Sequence, residues 1–164
     1  MAYNKIESIY KKLHWKNSKE IQEEGIKEAL KIKDLSYFMQ PLDPKYNKSI
    51  WNNCANIIVQ REDAELRSYI RPMMEWLQDI NWPGAFTIKE RLDKMSADDL
   101  IEPYLTCIED AIREGEESTW LDYLAGLIDN EELFYLLPDD KRKLMREKYK
   151  IFWGYGRSKL VEDR

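Results

Sequence analysis

The stretch that decides the fold is residues 75–85, which read Glu-Trp-Leu-Gln-Asp-Ile-Asn-Trp-Pro-Gly-Ala. Apolar side chains fall at helical spacing just before it, so a helix is predicted to end here. Asn81 is expected to cap the next helix, with Trp82 opening that helix and Pro83 in its first turn, where a missing N–H is tolerated. The stretch therefore predicts a helix, a tight polar turn and a second helix.

Composition extends this helical interpretation to the whole chain. The 164 residues include only two valines and three threonines against sixteen isoleucines, and alternating apolar and polar runs typical of strands are absent. We therefore expect an all-α fold that forms a single domain. Its predicted segments are N-terminal helices (1–59), a central helical region (60–130), C-terminal capping helices (131–153) and a frayed tail (154–164).

Helix-start signals place several of these helices more closely. Asn17 with Glu20 three residues later resembles a capping box, which would open the second helix. Ser118 is expected to cap the helix that carries Trp120. Pro103 is expected in the first turn of its helix, where proline is tolerated.

The composition also disfavours several classes of protein. No apolar stretch approaches the roughly 20 residues that span a bilayer, and the start lacks an apolar signal region, so a cytoplasmic location is expected. Cys54 and Cys107 lie on apolar helical faces and are expected to be buried free thiols. With a single histidine and no CxxC pair, we expect no metal and no cofactor.

Tryptophan spacing suggests a repeat. Five of the six tryptophans, at residues 15, 51, 82, 120 and 153, are separated by 36, 31, 38 and 33 residues. A period in the thirties is typical of an α-solenoid, in which helix pairs stack on their neighbours around a continuous core. We therefore predict an α-α superhelix of about four to five helix pairs. An irregular helical bundle is the alternative.

Residues 76–83, Trp-Leu-Gln-Asp-Ile-Asn-Trp-Pro, resemble the signature of an uncharacterised bacterial family, catalogued as domain of unknown function 5071. Its members are small, all-α and HEAT-like, with the pattern Trp-Leu-Gln-Asp-x-Asn-Trp-Pro. The resemblance covers residues 60–130 best and 1–59 more weakly, and Gly84 stands where a larger residue is expected. It implies a HEAT-like repeat fold and no particular activity.

Two groups of aromatic and polar residues are candidates for binding a peptide or a small ligand. The candidate binding residues are Trp76, Gln78, Asp79, Asn81 and Trp82 at the helix corner, Trp51 and Asn52 on an earlier helix, and Trp120. The alternative for the corner is that Asp79 and Asn81 tie down the turn while the indoles are core. For the earlier helix, the alternative is a polar face that is solvated or forms hydrogen bonds within its repeat.

The charges are unevenly distributed. Residues 90–132 hold fourteen acidic and three basic side chains, a net −11, whereas residues 1–48 carry +3 and residues 139–164 carry +4. An acidic centre disfavours nucleic acid as the ligand and favours a basic protein partner. The carboxylates predicted to face that partner are Glu109, Asp110, Glu114, Glu116 and Glu117. A solvated helix face is the alternative.

These observations favour a non-enzymatic, protein-binding helical-repeat module, such as an immunity or antitoxin-like protein that neutralises a basic partner. The alternative is a HEAT-like enzyme acting on nucleic acid, of the base-excising glycosylase type, which would need a basic track and exposed aromatic residues. A third possibility is self-association through an exposed patch formed by Tyr149, Phe152, Trp153 and Tyr155. The alternative is that these residues form a terminal cap packed on the protein's own helices. The oligomeric state is left open.

Overall fold

A computed structural model describes residues 2–154, and every regular element in that range is helical. The all-α prediction is confirmed. The α-helices are α1 (Ala2–Leu13), α2 (Lys19–Ala29), α3 (Asn47–Ile58), α4 (Asp63–Leu66), α5 (Ile70–Glu75), α6 (Ala85–Asp93), α7 (Ala97–Glu114), α8 (Trp120–Leu124), α9 (Glu131–Leu136) and α10 (Asp139–Phe152). Short 3-10 helices are formed by Leu35–Phe38, Arg67–Tyr69, Trp76–Gln78 and Ala125–Asp129. None of the helices in the described range has the length and apolar character needed to cross a membrane.

The described helices form two compact units. The first unit comprises residues 2–69 and 81–88, and the second comprises residues 70–80 and 89–154. The predicted single domain and its HEAT-like superhelix stay predictions, and the predicted frayed tail, apart from Gly154, lies outside the described residues.

In the first unit, α1 packs closely against α2. A Cβ atom placed on Gly25 would lie 2.8 Å from Cβ of Lys12, so glycine is what lets the two helices approach this far. The Lys12 ammonium then pairs with the carboxylates of Glu24 and Glu28 in α2, at 2.8 and 2.5 Å. Ile9 and Leu13 in α1 are fully buried, so this helix contributes its apolar face to the core.

The predicted capping box at the start of α2 is wrong by one residue. Ser18 caps this helix, its Oγ accepting a hydrogen bond from the Ile21 N–H at 3.4 Å. The Asn17 side chain instead donates to the carbonyls of Lys11 and Lys12, at 2.7 and 3.0 Å. Asn17 therefore satisfies carbonyls that the end of α1 leaves without a partner, and its neighbour is left to cap α2.

The corner quoted above forms a helix, a turn and a helix, but the second helix starts later than predicted. Asn81, Trp82 and Pro83 all lie in the turn, and α6 begins only at Ala85. Gly84 has a φ of 85°, in the left-handed region that side-chain-bearing residues avoid. Because that residue turns the chain, Asn81 is too far ahead to be the cap and Pro83 is not in the first turn.

In the second unit, the long helix α7 packs against α5, α8 and α9, and α10 packs against α8 and Ala125–Asp129. Tyr104 in α7 is fully buried and its hydroxyl donates to the Leu124 carbonyl at 2.8 Å. Pro103 lies inside α7 rather than in its first turn, because the helix already begins at Ala97. Proline there cannot donate the usual backbone hydrogen bond, so α7 lacks one intrahelical bond at this position.

The tryptophans do not share one structural position. Trp15 follows α1 and Trp82 precedes α6, whereas Trp51 lies within α3, Trp120 begins α8 and Trp153 follows α10. Trp15 is 56% exposed, while Trp51, Trp120 and Trp153 are buried. Regular spacing along the chain therefore does not produce equivalent packing of the indoles.

Candidate functional site

The predicted corner residues are divided between the two units. Trp76 belongs to the second unit and is fully buried, with Gln78 and Asp79 half-buried beside it along the chain. Asn81 and Trp82 belong to the first unit, where Asn81 is exposed and Trp82 half-buried. The burial of Trp76 favours the core alternative for this indole.

Trp120 is also a core residue. Its side chain is buried, and its indole N–H donates to the Met74 carbonyl at 3.0 Å, which ties α8 to α5. A buried indole with its N–H satisfied is the arrangement that stabilises a core. The ligand-binding role predicted for Trp120 stays a prediction.

The structure does bring Trp51 and Trp82 together. Their ring centroids are 5.7 Å apart in an edge-to-face arrangement, and Nζ of Lys48 lies 6.0 and 5.9 Å from the two centroids. Trp51 is only 3% exposed, and its indole N–H donates to the Pro41 carbonyl at 2.9 Å. Asn52 is exposed on α3. The pair therefore presents mainly Trp82 to solvent.

The neighbouring asparagine, Asn53, forms hydrogen bonds within the protein. It is buried, and its Nδ2 donates to the Leu13 carbonyl at 2.7 Å and to Oε1 of Gln22 at 2.8 Å. Gln22 in turn donates to the carbonyls of Trp15 and Asn17, at 3.2 and 2.7 Å. These bonds hold the loop between α1 and α2 in one conformation.

Three of the five predicted acidic residues are engaged within the protein. Asp110 accepts from Arg71 at 2.5 Å and also pairs with Arg113. Glu109 pairs with Lys141 at 2.6 Å, and Glu114 accepts a hydrogen bond from the Ser118 hydroxyl at 2.7 Å. The ion pairs therefore partly neutralise the charges of Glu109 and Asp110, which the composition of the segment could not show, whereas the Ser118 hydroxyl carries no charge that could neutralise Glu114.

Glu116 and Glu117 differ from the other three. Both are exposed, in the loop between α7 and α8, and neither forms an ion pair with any residue that the structure describes. Their charges are therefore not balanced by an ion pair within residues 2–154.

An apolar groove lies beside these two carboxylates, at the end of α7. It has a volume of about 300 Å³ and is lined by Ala111, Ile112, Gly115, Glu116, Ser118, Leu121, Leu144 and Lys148. Ile112 is 40% exposed at this groove. Lys148 adds one positive charge to the lining, and its Nζ lies 3.7 Å from a carboxylate oxygen of Asp122. We call this feature the α7 groove.

The sequence analysis did not predict a buried group of charged residues around Lys89. Lys89 is only 5% exposed, and its Nζ lies 2.6 Å from Oδ2 of Asp93 and 2.7 Å from Oδ2 of Asp129. The Tyr149 hydroxyl donates to Oδ1 of Asp129 at 2.8 Å, and Nζ of Lys89 lies 4.8 Å from the Trp153 ring centroid. These five residues, the Lys89 cluster, join α6, α10 and Ala125–Asp129.

Burial changes the acidity of one carboxyl group in the Lys89 cluster, that of Asp93. It raises the pKa of Asp93 from 3.8 to about 6, although the adjacent Lys89 ammonium opposes that change. The Lys89 to Asp93 spacing of four residues was visible in the sequence, as a charged pair inside an apolar stripe. The contact of Lys89 with Asp129, forty residues further along the chain, was not visible in the sequence.

The cysteine prediction is confirmed. Cys54 and Cys107 are both free and buried. Burial raises the pKa of the Cys107 thiol to about 11 and that of the Cys54 thiol higher still, so both are protonated and poorly nucleophilic near neutral pH. Within residues 2–154, no group of three or more His, Cys, Asp or Glu is arranged to hold a metal ion.

The C-terminal aromatic residues pack inward. Tyr149 and Trp153 are buried, and the Trp153 indole N–H donates to the Asp122 carbonyl at 3.0 Å. Phe152 is 43% exposed, and Tyr155 lies outside the described residues. The arrangement favours the packed terminal cap over an exposed self-association patch.

The fold and these surfaces define an all-α protein with an apolar groove beside exposed carboxylates. The chain belongs to the family described as Domain of unknown function (DUF5071), whose sequence pattern matches residues 47–147. The resemblance carried by residues 76–83 is thus confirmed. No curated protein and no solved structure matches the chain significantly.

Proposed function

We propose that the protein is a non-enzymatic module that binds another protein through the α7 groove. The observation that carries this proposal is an apolar cavity with Glu116 in its lining and Glu117 next to it in the chain. Both carboxylates are exposed, and neither has an ion-pair partner among the residues that the structure describes. An apolar pocket with a charged rim is the usual form of an interface hot spot. The expected partner therefore offers an apolar side chain flanked by lysine or arginine.

The size and lining of the groove define what can enter it. A volume of about 300 Å³ is at the small end of ligand sites and suits one large side chain rather than a cofactor. Such a side chain would cover the exposed part of Ile112 and contact Leu121 and Leu144. Lys148 in the same lining can donate to a backbone carbonyl of the partner.

Electrostatics would speed the encounter with a basic partner. Residues 90–132 carry a net −11, of which Glu116 and Glu117 are the members placed beside the groove. Opposite charge raises association rates and selects among partners more than it adds affinity. An immunity or antitoxin-like protein that neutralises a cationic protein, such as a nuclease, is the concrete form of this proposal. A cytoplasmic location and HEAT-like stacking of the helices belong to it as well.

The alternative, an enzyme acting on nucleic acid, is supported by the Trp51 and Trp82 pair beside Lys48. Aromatic faces next to a cation are what stacking on bases requires. Against this alternative, Trp51 is buried and its indole N–H donates to the Pro41 carbonyl. Of this pair, therefore, only Trp82 is open for stacking on a base. A gel-shift titration at low salt separates the two proposals, since tight and salt-sensitive DNA binding is expected only from the enzyme.

Reversing the two carboxylates beside the groove tests the proposal. We expect the Glu116→Lys/Glu117→Lys variant to bind a basic partner, recovered by copurification at low salt, at least tenfold more weakly than the wild type. The physical reason is that two attractive contacts become repulsive, and about 1.4 kcal/mol corresponds to a factor of ten. The measurement is calorimetric titration of the purified partner.

The matched control is Glu102→Lys/Glu147→Lys, which makes the same change in net charge at two exposed positions of the same unit. This control is expected to retain most of the affinity. Equal weakening by both variants would show that net charge, and not the α7 groove, determines binding. Unchanged binding by the groove variant would refute the proposal.

A further inference from the structure

The loop between α1 and α2 holds an exposed indole in a fixed position. Trp15 is 56% exposed, yet its backbone is bound at both ends: its N–H donates to the Ser49 carbonyl at 3.1 Å, and its carbonyl accepts from Gln22 at 3.2 Å. Asn53 holds the Gln22 side chain through Oε1. An indole on a rigid backbone costs little entropy to bind, which is why tryptophan is enriched at interface hot spots.

Trp15 is also flanked by positive charge. Lys16 and Lys11 are exposed, and neither ammonium has an ion-pair partner among the residues described. The first 48 residues carry a net +3. Ile21, 43% exposed at the start of α2, extends the apolar surface of this corner. The corner therefore offers an apolar anchor with cations beside it.

These properties are complementary to those of the α7 groove. The groove provides an apolar cavity large enough for one big side chain, with Glu116 in its lining and Glu117 adjacent. Trp15 provides that side chain, and Lys16 provides the opposite charge at the neighbouring position. Lys148 is the one like charge in the groove, and it faces the Asp122 carboxylate at 3.7 Å.

We propose that Trp15 of one molecule inserts into the α7 groove of a second copy of the chain. This inference rests on the proposed function of the groove and names one occupant for it. The two surfaces are different, so the contact is heterologous: each molecule presents an indole to one neighbour and a groove to another. A second copy bound in this way would compete with any foreign partner for the same groove.

The proposal predicts concentration-dependent self-association of the wild-type protein. In sedimentation velocity at low salt, the mass average is expected to rise with protein concentration and to fall on addition of salt, because the rim contacts are ionic. Trp15→Ser, a change at an exposed side chain, and Ile112→Glu, which places a charge in the groove, should each weaken association at least tenfold. Tyr3→Ser, another exposed aromatic residue in the same unit, is the matched control and should leave association unchanged.

Mixing the two defective variants gives the decisive measurement. Trp15→Ser retains an intact groove and Ile112→Glu retains an intact indole, so an equimolar mixture is expected to form heterodimers although neither variant associates alone. The assembly should stop at two molecules, because each variant keeps only one functional surface. A mixture that stays monomeric while the wild type associates would overturn the head-to-tail contact.

The experiments distinguish a failure of this self-association from a failure of the proposed function. A wild type that stays monomeric at about 0.5 mM would overturn this inference, since that concentration detects even contacts of millimolar affinity. Binding of a basic partner that Glu116→Lys/Glu117→Lys abolishes and Trp15→Ser leaves intact would still support the groove. Self-association lost in Trp15→Ser but kept in Ile112→Glu would assign the indole to another surface and refute the proposal.

Discussion

Replacing Lys89 by methionine is expected to lower the free energy of unfolding by about 3 kcal/mol. The change removes the ammonium that lies between Asp93 and Asp129 and leaves the two partly buried carboxylates without their shared cation. Breaking a buried ion pair by removing one partner typically costs about 3 to 5 kcal/mol. The lower end applies because both carboxylates keep about a quarter of their surface exposed. Chemical denaturation at pH 7 measures the loss.

The matched control is Lys94→Met, which removes an exposed lysine just after α6 and should change stability by less than about 0.5 kcal/mol. A Lys89→Met protein as stable as this control would show that the Lys89 cluster contributes nothing to the fold.

The pH dependence of stability gives a second check on the Lys89 cluster. Burial raises the pKa of Asp93 to about 6, so its protonated form favours the folded state, and the stability it adds at low pH is lost as the pH rises through 6. The loss in the free energy of unfolding caused by Lys89→Met, relative to the wild type, should therefore be smaller at pH 5 than at pH 7.

Replacing Gly126 by alanine is expected to cost about 2 kcal/mol. A Cβ atom at this position would lie 2.4 Å from two carbons of the Trp153 ring, well inside van der Waals contact. The ring cannot simply move away, because its N–H is bound to the Asp122 carbonyl and Tyr149 stacks on it. Overpacking of a fixed core typically costs about 1 to 3 kcal/mol. Thermal or chemical denaturation measures the change.

A double-mutant cycle identifies the cause of that loss. In a Trp153→Leu background the obstructing ring is gone, so adding Gly126→Ala should cost less than about 0.5 kcal/mol. The backbone at Gly126 is not in the left-handed region, so alanine brings no conformational penalty of its own. An equal cost in both backgrounds would show that the close approach of the indole is not the reason for glycine at this position.

Sequence patterns predicted helices well where the signal was local. The helix, turn and helix around residues 75–85 and the helix that carries Trp120 are reproduced, because each signal depends on residues within a few positions of one another. The errors at Asn17 and Asn81 have different local causes. The Asn17 side chain binds carbonyls at the end of α1, and the turn at Gly84 moves the start of α6 beyond Asn81. A cap rule applied to the following helix considers neither effect.

The candidate site was predictable only in part, because much of it depends on distant pairs. Glu116 and Glu117 were predicted from charge alone, and neither forms an ion pair with a residue that the structure describes. Asp110 was found in the same way, but Arg71, thirty-nine residues away, neutralises it. The α7 groove joins residues from α7, α8 and α10, and no local pattern brings Ile112 and Leu144 together. Charge composition therefore predicted the character of the surface but not its shape.

The burial of both thiols has a practical consequence. Cys54 and Cys107 are enclosed and protonated at neutral pH, so maleimide reagents are expected to leave the native chain unmodified. A cysteine introduced at an exposed position, such as Tyr3 or Leu42, would then be the reactive group. Site-specific fluorophores or spin labels can thus be attached to the wild-type background, without first replacing two residues that fill its core.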